Sequence, residues 1–121
     1  MNNEERTGIL KIYVGESDKI NGHPLYEEIV FEARNQGIAG ATVIKGTMSY
    51  GASHSVHTMK IFALSTDLPM TVEVVDNYDR LLEFSKKVNE MMALSQKGGL
   101  MIYQDVDVIR YVAGEKYKGM S

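Results

Sequence analysis

Two stretches of this chain place apolar residues at every third or fourth position, and both sit among segments in which apolar residues alternate or cluster. The alternation of these two periods constrains the fold more than any other feature, because a period near 3.6 buries one stripe of a helix and a period of 2 buries one face of a strand. Leu25, Ile29 and Ala33 predict a helix over 24–36, opened by Pro24 and closed by Gly37. Leu81, Phe84, Val88, Met91 and Met92 predict a second helix over 77–94. Between and around them lie the strands. Leu10, Ile12 and Val14 share one face of a strand over 8–15, with Ile9, Lys11 and Tyr13 on the other. Further extended segments are expected at 40–48, 56–64 and 70–75, with Pro69 marking a bulge, corner or edge. A last strand region is expected over 100–103 and 106–112, behind the break at Gly98 and Gly99.

The resulting order, β-α-β-β-α-β, is the α+β ferredoxin-like arrangement, an antiparallel sheet with both helices on one face. Ile9 next to Leu10 and Val74 next to Val75 make some strands apolar on both faces. The face without helices therefore needs a cover, and a homo-oligomer closing sheet against sheet supplies one, with clefts between subunits. With 121 residues the chain reads as one domain, its ordered core spanning about 8–113. Cysteine is absent, which excludes disulfides, thiolate metal sites and a cysteine nucleophile. The polar first residues predict neither a secretion signal nor a membrane span, hence a cytoplasmic protein. A formal charge of −3 argues against general nucleic-acid binding.

Chemistry is concentrated in 40–51, where a strand runs into a loop punctuated by Gly46 and Gly51 and carrying Lys45. Successive amides at such glycines can form a concave donor cluster for an anion, with Lys45 as a point charge at its rim. The plainer alternative is a strand ending in a flexible hairpin. Glu16, Ser17, Asp18 and Lys19 place a hydroxyl and mixed charges directly after the first strand, suited to reading a ribose or closing a cleft; the plainer alternative is a capped, solvated turn before the first helix. Arg110 lies in an apolar run and needs either a phosphate or a partner among Asp105, Asp107 and Glu73. His54 and His57 form the one close histidine pair, a conceivable divalent-metal site. Asp76 and Asp79 suit the dipole of the second helix. No serine occupies a nucleophile elbow and no acid/base pair stands apart, so no catalytic residue is expected.

Tyr13-Val14-Gly15-Glu16-Ser17-Asp18-Lys19, Gly22-His23-Pro24-Leu25-Tyr26, Gly37-Ile38-Ala39-Gly40-Ala41-Thr42-Val43, Gly46-Thr47-Met48-Ser49-Tyr50-Gly51, Asp67-Leu68-Pro69 and Val108-Ile109-Arg110 together resemble the PII-like signal proteins. The likeness is greater to the PII-like family whose members begin with a strand followed by Gly-Glu-Ser-Asp-Lys. It runs through most of the chain, from about 9 to 112. The resemblance implies a compact trimer that is not an enzyme, needs no cofactor, and binds AMP, ADP or ATP in clefts between subunits. It carries phosphate contacts onto Lys45, Gly46 and Gly51, onto Gly98 and Gly99 with Lys97 beside them, and onto Arg110. A second arginine of the PII pattern is Val112 here, and the loop region is shorter, so a mono- or diphosphate nucleotide or another anion suits the fewer cations. Signalling would pass through the loop 49–55 to a partner such as a membrane transporter or channel, in keeping with the family's association with ion-transport genes. The alternative is a metal-binding trimer similar to the copper-tolerance protein CutA, using His54 and His57.

Overall fold

The computed structural model describes residues 1–50, 56–58 and 68–114, with 48–50 and 56–58 described by their backbone alone. In chain order the elements are β1 (Thr7–Gly15), β2 (Lys19–Ile20), β3 (His23–Pro24), α1 (Leu25–Asn35), β4 (Gly40–Lys45), β5 (Met48–Tyr50), β6 (Val56–Thr58), β7 (Pro69–Asn77), α2 (Tyr78–Ser95) and β8 (Leu100–Asp105). The main sheet has the order β4-β7-β1-β8 with every neighbour antiparallel. This is the ferredoxin-like topology, in which the first and third long strands form the centre. Among the described residues no helix is long and apolar enough to cross a membrane.

Pairing register assigns each side chain to a face. Leu10 stands opposite Val74 and Tyr103, and Ile12 opposite Val72 and Met101. That face meets Leu25, Ile29 and Ala33 of α1 and Leu81, Phe84, Val88 and Met91 of α2, forming one buried core. The apolar stripes read from the sequence are thus the buried ones.

Helix α1 ends in a paired backbone cap: the Gly37 amide (φ 71°) donates to Arg34 O at 3.0 Å and the Ile38 amide to Ala33 O at 3.0 Å. Arg80 from α2 adds two donors, reaching Gln36 O at 3.0 Å and Gly37 O at 2.5 Å. Its Nε donates to Asp76 Oδ2 at 3.1 Å, and the same oxygen accepts the Ala39 amide at 2.9 Å. Asp76 therefore does more than complement a helix dipole. Its carboxylate, 1% exposed, fastens the end of α1 to the start of α2. Helix α2 ends instead on Gln96 at φ 59°, a left-handed position that favours glycine. Gln96→Gly is expected to raise stability by roughly 0.5–1 kcal/mol, a gain of a few degrees in Tm by calorimetry.

Two extended segments end earlier than expected. The strand expected over 40–48 stops at Lys45, because β7 begins at Pro69, which has no N–H to continue the ladder. The segment 106–112 is not a strand. Its would-be partner, β1, begins at Thr7, whose hydroxyl donates to Val106 O at 2.7 Å and whose carbonyl accepts the Val106 amide at 3.2 Å. Beyond that point the ladder with β1 ends, and the chain turns over the sheet until the Tyr111 hydroxyl donates to Ala39 O at 2.8 Å.

The second sheet face carries Ile9, Lys11 and Tyr13 of β1, Thr71, Glu73 and Val75 of β7, Thr42 and Ile44 of β4, and Leu100 and Ile102 of β8. No helix covers it. Ile44 is 47% exposed, Leu100 56% and Ile102 39%, so an apolar band faces outward.

Candidate functional site

Three of the candidate groups converge on one end of the sheet, where β1 and β4 finish and β7 and β8 begin. Lys45 pairs in register with Met70, and Gly15 with Pro69. The Gly46 amide donates to Pro69 O at 2.7 Å, and a side chain at Gly46 would meet the proline ring at 2.8 Å. Its amide is thus engaged in closing the strand pair. The Glu16 amide donates to Leu68 O at 2.7 Å, which ties the loop after β1 to the same corner.

Within that loop Asp18 is buried, and its carboxylate accepts the Gly15 amide at 2.8 Å. Its carbonyl accepts the Leu25 amide at 2.8 Å, so the turn also starts α1. Ser17 and Lys19 are exposed beside it. The Lys45 ammonium pairs with Glu16 Oε2 at 2.9 Å. Tyr26, in the first turn of α1, senses the pair: burial, then the carboxylates of Glu27 and Glu16, push its phenol up, while Lys45 acts to lower it.

Gly98 and Gly99 precede the other edge strand at the same end. Gly99 passes so close to β1 that a side chain there would meet Tyr13 O at 2.9 Å and collide with Met92, whereas Gly98 borders open space. Since β4 and β8 are the two edges, three strand spacings of roughly 4.8 Å put Lys45 and Gly99 about 14 Å apart. Arg110 lies at the opposite end. It is exposed and lines a cleft of about 370 Å³ with Ile9, Gly40, Thr42, Glu73 and Val75. Among the described residues it forms no ion pair, so the alternative of a pairing with Asp105, Asp107 or Glu73 is not made; Asp105 is held by Arg6 at 2.7 Å.

Gly51 and His54 lie outside the described residues, and His57 is placed only as backbone in β6. Among the described residues no three His, Asp or Glu side chains gather as a metal site. The sequence reading left out one contact of consequence, the pairing of Glu16 with Lys45. Glu16 was visible only as one charge among three after β1, and nothing in the linear order links it to a lysine twenty-nine positions on.

Residues 7–108 match the family DUF190, described as Uncharacterized ACR, COG1993. The chain belongs to the DUF190 family. Within this family it is 37% identical over 110 residues to the UPF0166 protein MJ1524 of Methanocaldococcus jannaschii, covering 91% of this chain and 95% of that one. Among solved structures the fold is similar to that of CPII, a nitrogen regulatory PII-like protein from Thiomonas intermedia K12 bound to ADP, AMP and bicarbonate. That likeness has a TM-score of 0.60 at 17% identity and covers 86% of this chain and 89% of the other. The divalent ion tolerance protein CutA1 from Ehrlichia chaffeensis is also similar, at TM-score 0.54 and 14% identity over 93% of this chain and 89% of that one. So is a phage SAM lyase in complex with S-methyl-5'-thioadenosine, at TM-score 0.51 and 11% identity over 90% and 88%. The DUF190 chain therefore has a PII-like, ferredoxin-type fold, which by itself leaves its chemistry open.

Proposed function

We propose that this DUF190 protein is a trimeric, non-enzymatic, PII-like regulator that binds an adenine nucleotide in clefts between subunits. Occupancy would pass through the loop 49–55 to a partner such as a membrane transporter or channel. One observation carries the reading. In a single chain Lys45 with Gly46, Gly98 with Gly99, and Arg110 occupy two sheet edges and two opposite ends, next to an apolar face with no helix on it. The five residues of β1 from Ile9 to Tyr13, four steps along the strand, already span roughly 13 Å. In the proposed trimer these groups would meet where copies adjoin, and covering the open face would bring copies together. The nucleotide bound by the structurally similar CPII supports adenine as the base.

The signalling step would be differential affinity: a nucleotide that touches the root of the loop in one of its arrangements shifts the population toward that arrangement. Calorimetric titration with AMP, ADP and ATP tests the binding, and saturable binding of at least one is expected. Arg110→Ala should weaken it about 10- to 100-fold, as loss of a charge-assisted bond to phosphate does. Because Lys45 and Arg110 of one cleft would come from different subunits, co-expressed Lys45→Ala and Arg110→Ala chains should regain some clefts of wild-type affinity. Absence of binding to all three nucleotides would reject the proposal. A metal-binding reading, which the likeness to CutA1 suggests, predicts instead that divalent cations raise Tm and that His54→Ala with His57→Ala abolishes the rise.

A further inference from the structure

We infer that Glu16 is a built-in competitor for the nucleotide's phosphate, occupying Lys45 in the empty protein and setting how many phosphates the site accepts. The inference rests on the nucleotide reading above and concerns the control of that same site. Three contacts support it. The Glu16 carboxylate stands 2.9 Å from the Lys45 ammonium, at the cation expected to meet the phosphate. Glu16 is held there by its backbone, since its amide donates to Leu68 O at 2.7 Å and the preceding Gly15 amide donates to Asp18 Oδ2 at 2.8 Å. The side chain of Glu16 is only 21% exposed, less than half the exposure of its lysine partner at 49%.

A phosphate that approaches Lys45 meets a cation already neutralised and a fixed carboxylate of like charge. Binding then requires that Lys45 exchange partners or that Glu16 withdraw. The penalty grows with ligand charge, so Glu16 discriminates against the more highly phosphorylated nucleotides. The position gives it a second consequence. Lys45 and Leu68 flank the segment 46–67, which contains the loop assigned to signalling, and Glu16 touches both. Displacement of its side chain by a phosphate breaks the link to Lys45 at the root of that segment while the backbone link to Leu68 stays, so the competitor is also the element through which occupancy is felt.

Titrating adenosine, AMP, ADP and ATP into the wild type, Glu16→Gln and the double variant Glu16→Gln/Lys45→Gln tests this. Glu16→Gln keeps the backbone bonds and the side-chain size, and should bind ADP and ATP roughly five- to tenfold tighter than the wild type, with AMP gaining less and adenosine unchanged. The double variant should lose the gain. Equal or weaker binding of ADP by Glu16→Gln, or an equal gain for adenosine, would overturn the inference while leaving the nucleotide site standing. If neither wild type nor Glu16→Gln binds any of the four, the site and its competitor fall together.

Discussion

Asp76→Ala is expected to lower the stability of this protein by about 3 kcal/mol, the largest effect anticipated for a single polar side chain here. The carboxylate is 1% exposed and accepts three donors: the Ala39 amide at 2.9 Å, the Asn77 amide at 2.6 Å and Arg80 Nε at 3.1 Å. Removal leaves these donors without their acceptor in a site shielded from solvent, and each such donor costs about 1–3 kcal/mol. The half-exposed Arg80 guanidinium recovers part of this from solvent, which keeps the total near the lower bound for a broken buried pair. Arg80 also holds Gln36 O and Gly37 O, so the loss spreads to the cap of α1. Urea unfolding should show a lower midpoint with an unchanged slope. Asp79→Ala, an exposed position in the first turn of α2, serves as the control and should stay within about 0.5 kcal/mol. Equal effects from the two substitutions would show that Asp76 acts only on the helix dipole.

In the proposed trimer, Ile102→Glu is expected to convert the assembly into monomers without unfolding the subunit. Ile102 is 39% exposed on the face without helices and pairs in register with Lys11, so a carboxylate there stays hydrated in the isolated chain. If that face closes against other copies, the same carboxylate is driven into an apolar seam at a cost of several kcal/mol per subunit. Light scattering should report a drop from trimer to monomer mass, with helical circular dichroism retained. Leu82→Glu gives the comparison, since Leu82 is 45% exposed on α2, in the layer that faces away from the open sheet face. It should leave the mass unchanged. A trimer that survives Ile102→Glu would place the seam elsewhere and remove the ground for bringing Lys45 and Arg110 of different copies together.

Helices were legible in the sequence because their apolar stripes are local: Leu25, Ile29 and Ala33 lie on one side of α1 whatever else the chain does. The cap at Gly37 was legible for the same reason. Strand ends were not. Val108, Ile109, Tyr111 and Val112 have strand character, yet a strand exists only if a neighbour offers its backbone, and β1, antiparallel to β8, begins only at Thr7. Likewise the 40–48 segment stops where its partner begins with Pro69. The candidate site divided along the same line. Its charged and glycine residues were visible as types, while the pairing of Lys45 with Glu16 and the distance of Arg110 from both depend on which strands neighbour each other.

By itself, then, the order of residues determined the α+β class, the two helices, their buried faces and the need to cover a second apolar sheet face, because each follows from periodicity within a short segment. Tertiary structure alone decided that Asp76 is a buried fastening, that Glu16 occupies Lys45, and that Lys45, Gly99 and Arg110 of one chain lie too far apart to hold one phosphate group together. Those are relations between residues tens of positions apart, fixed by strand order and register, and no local pattern carries them.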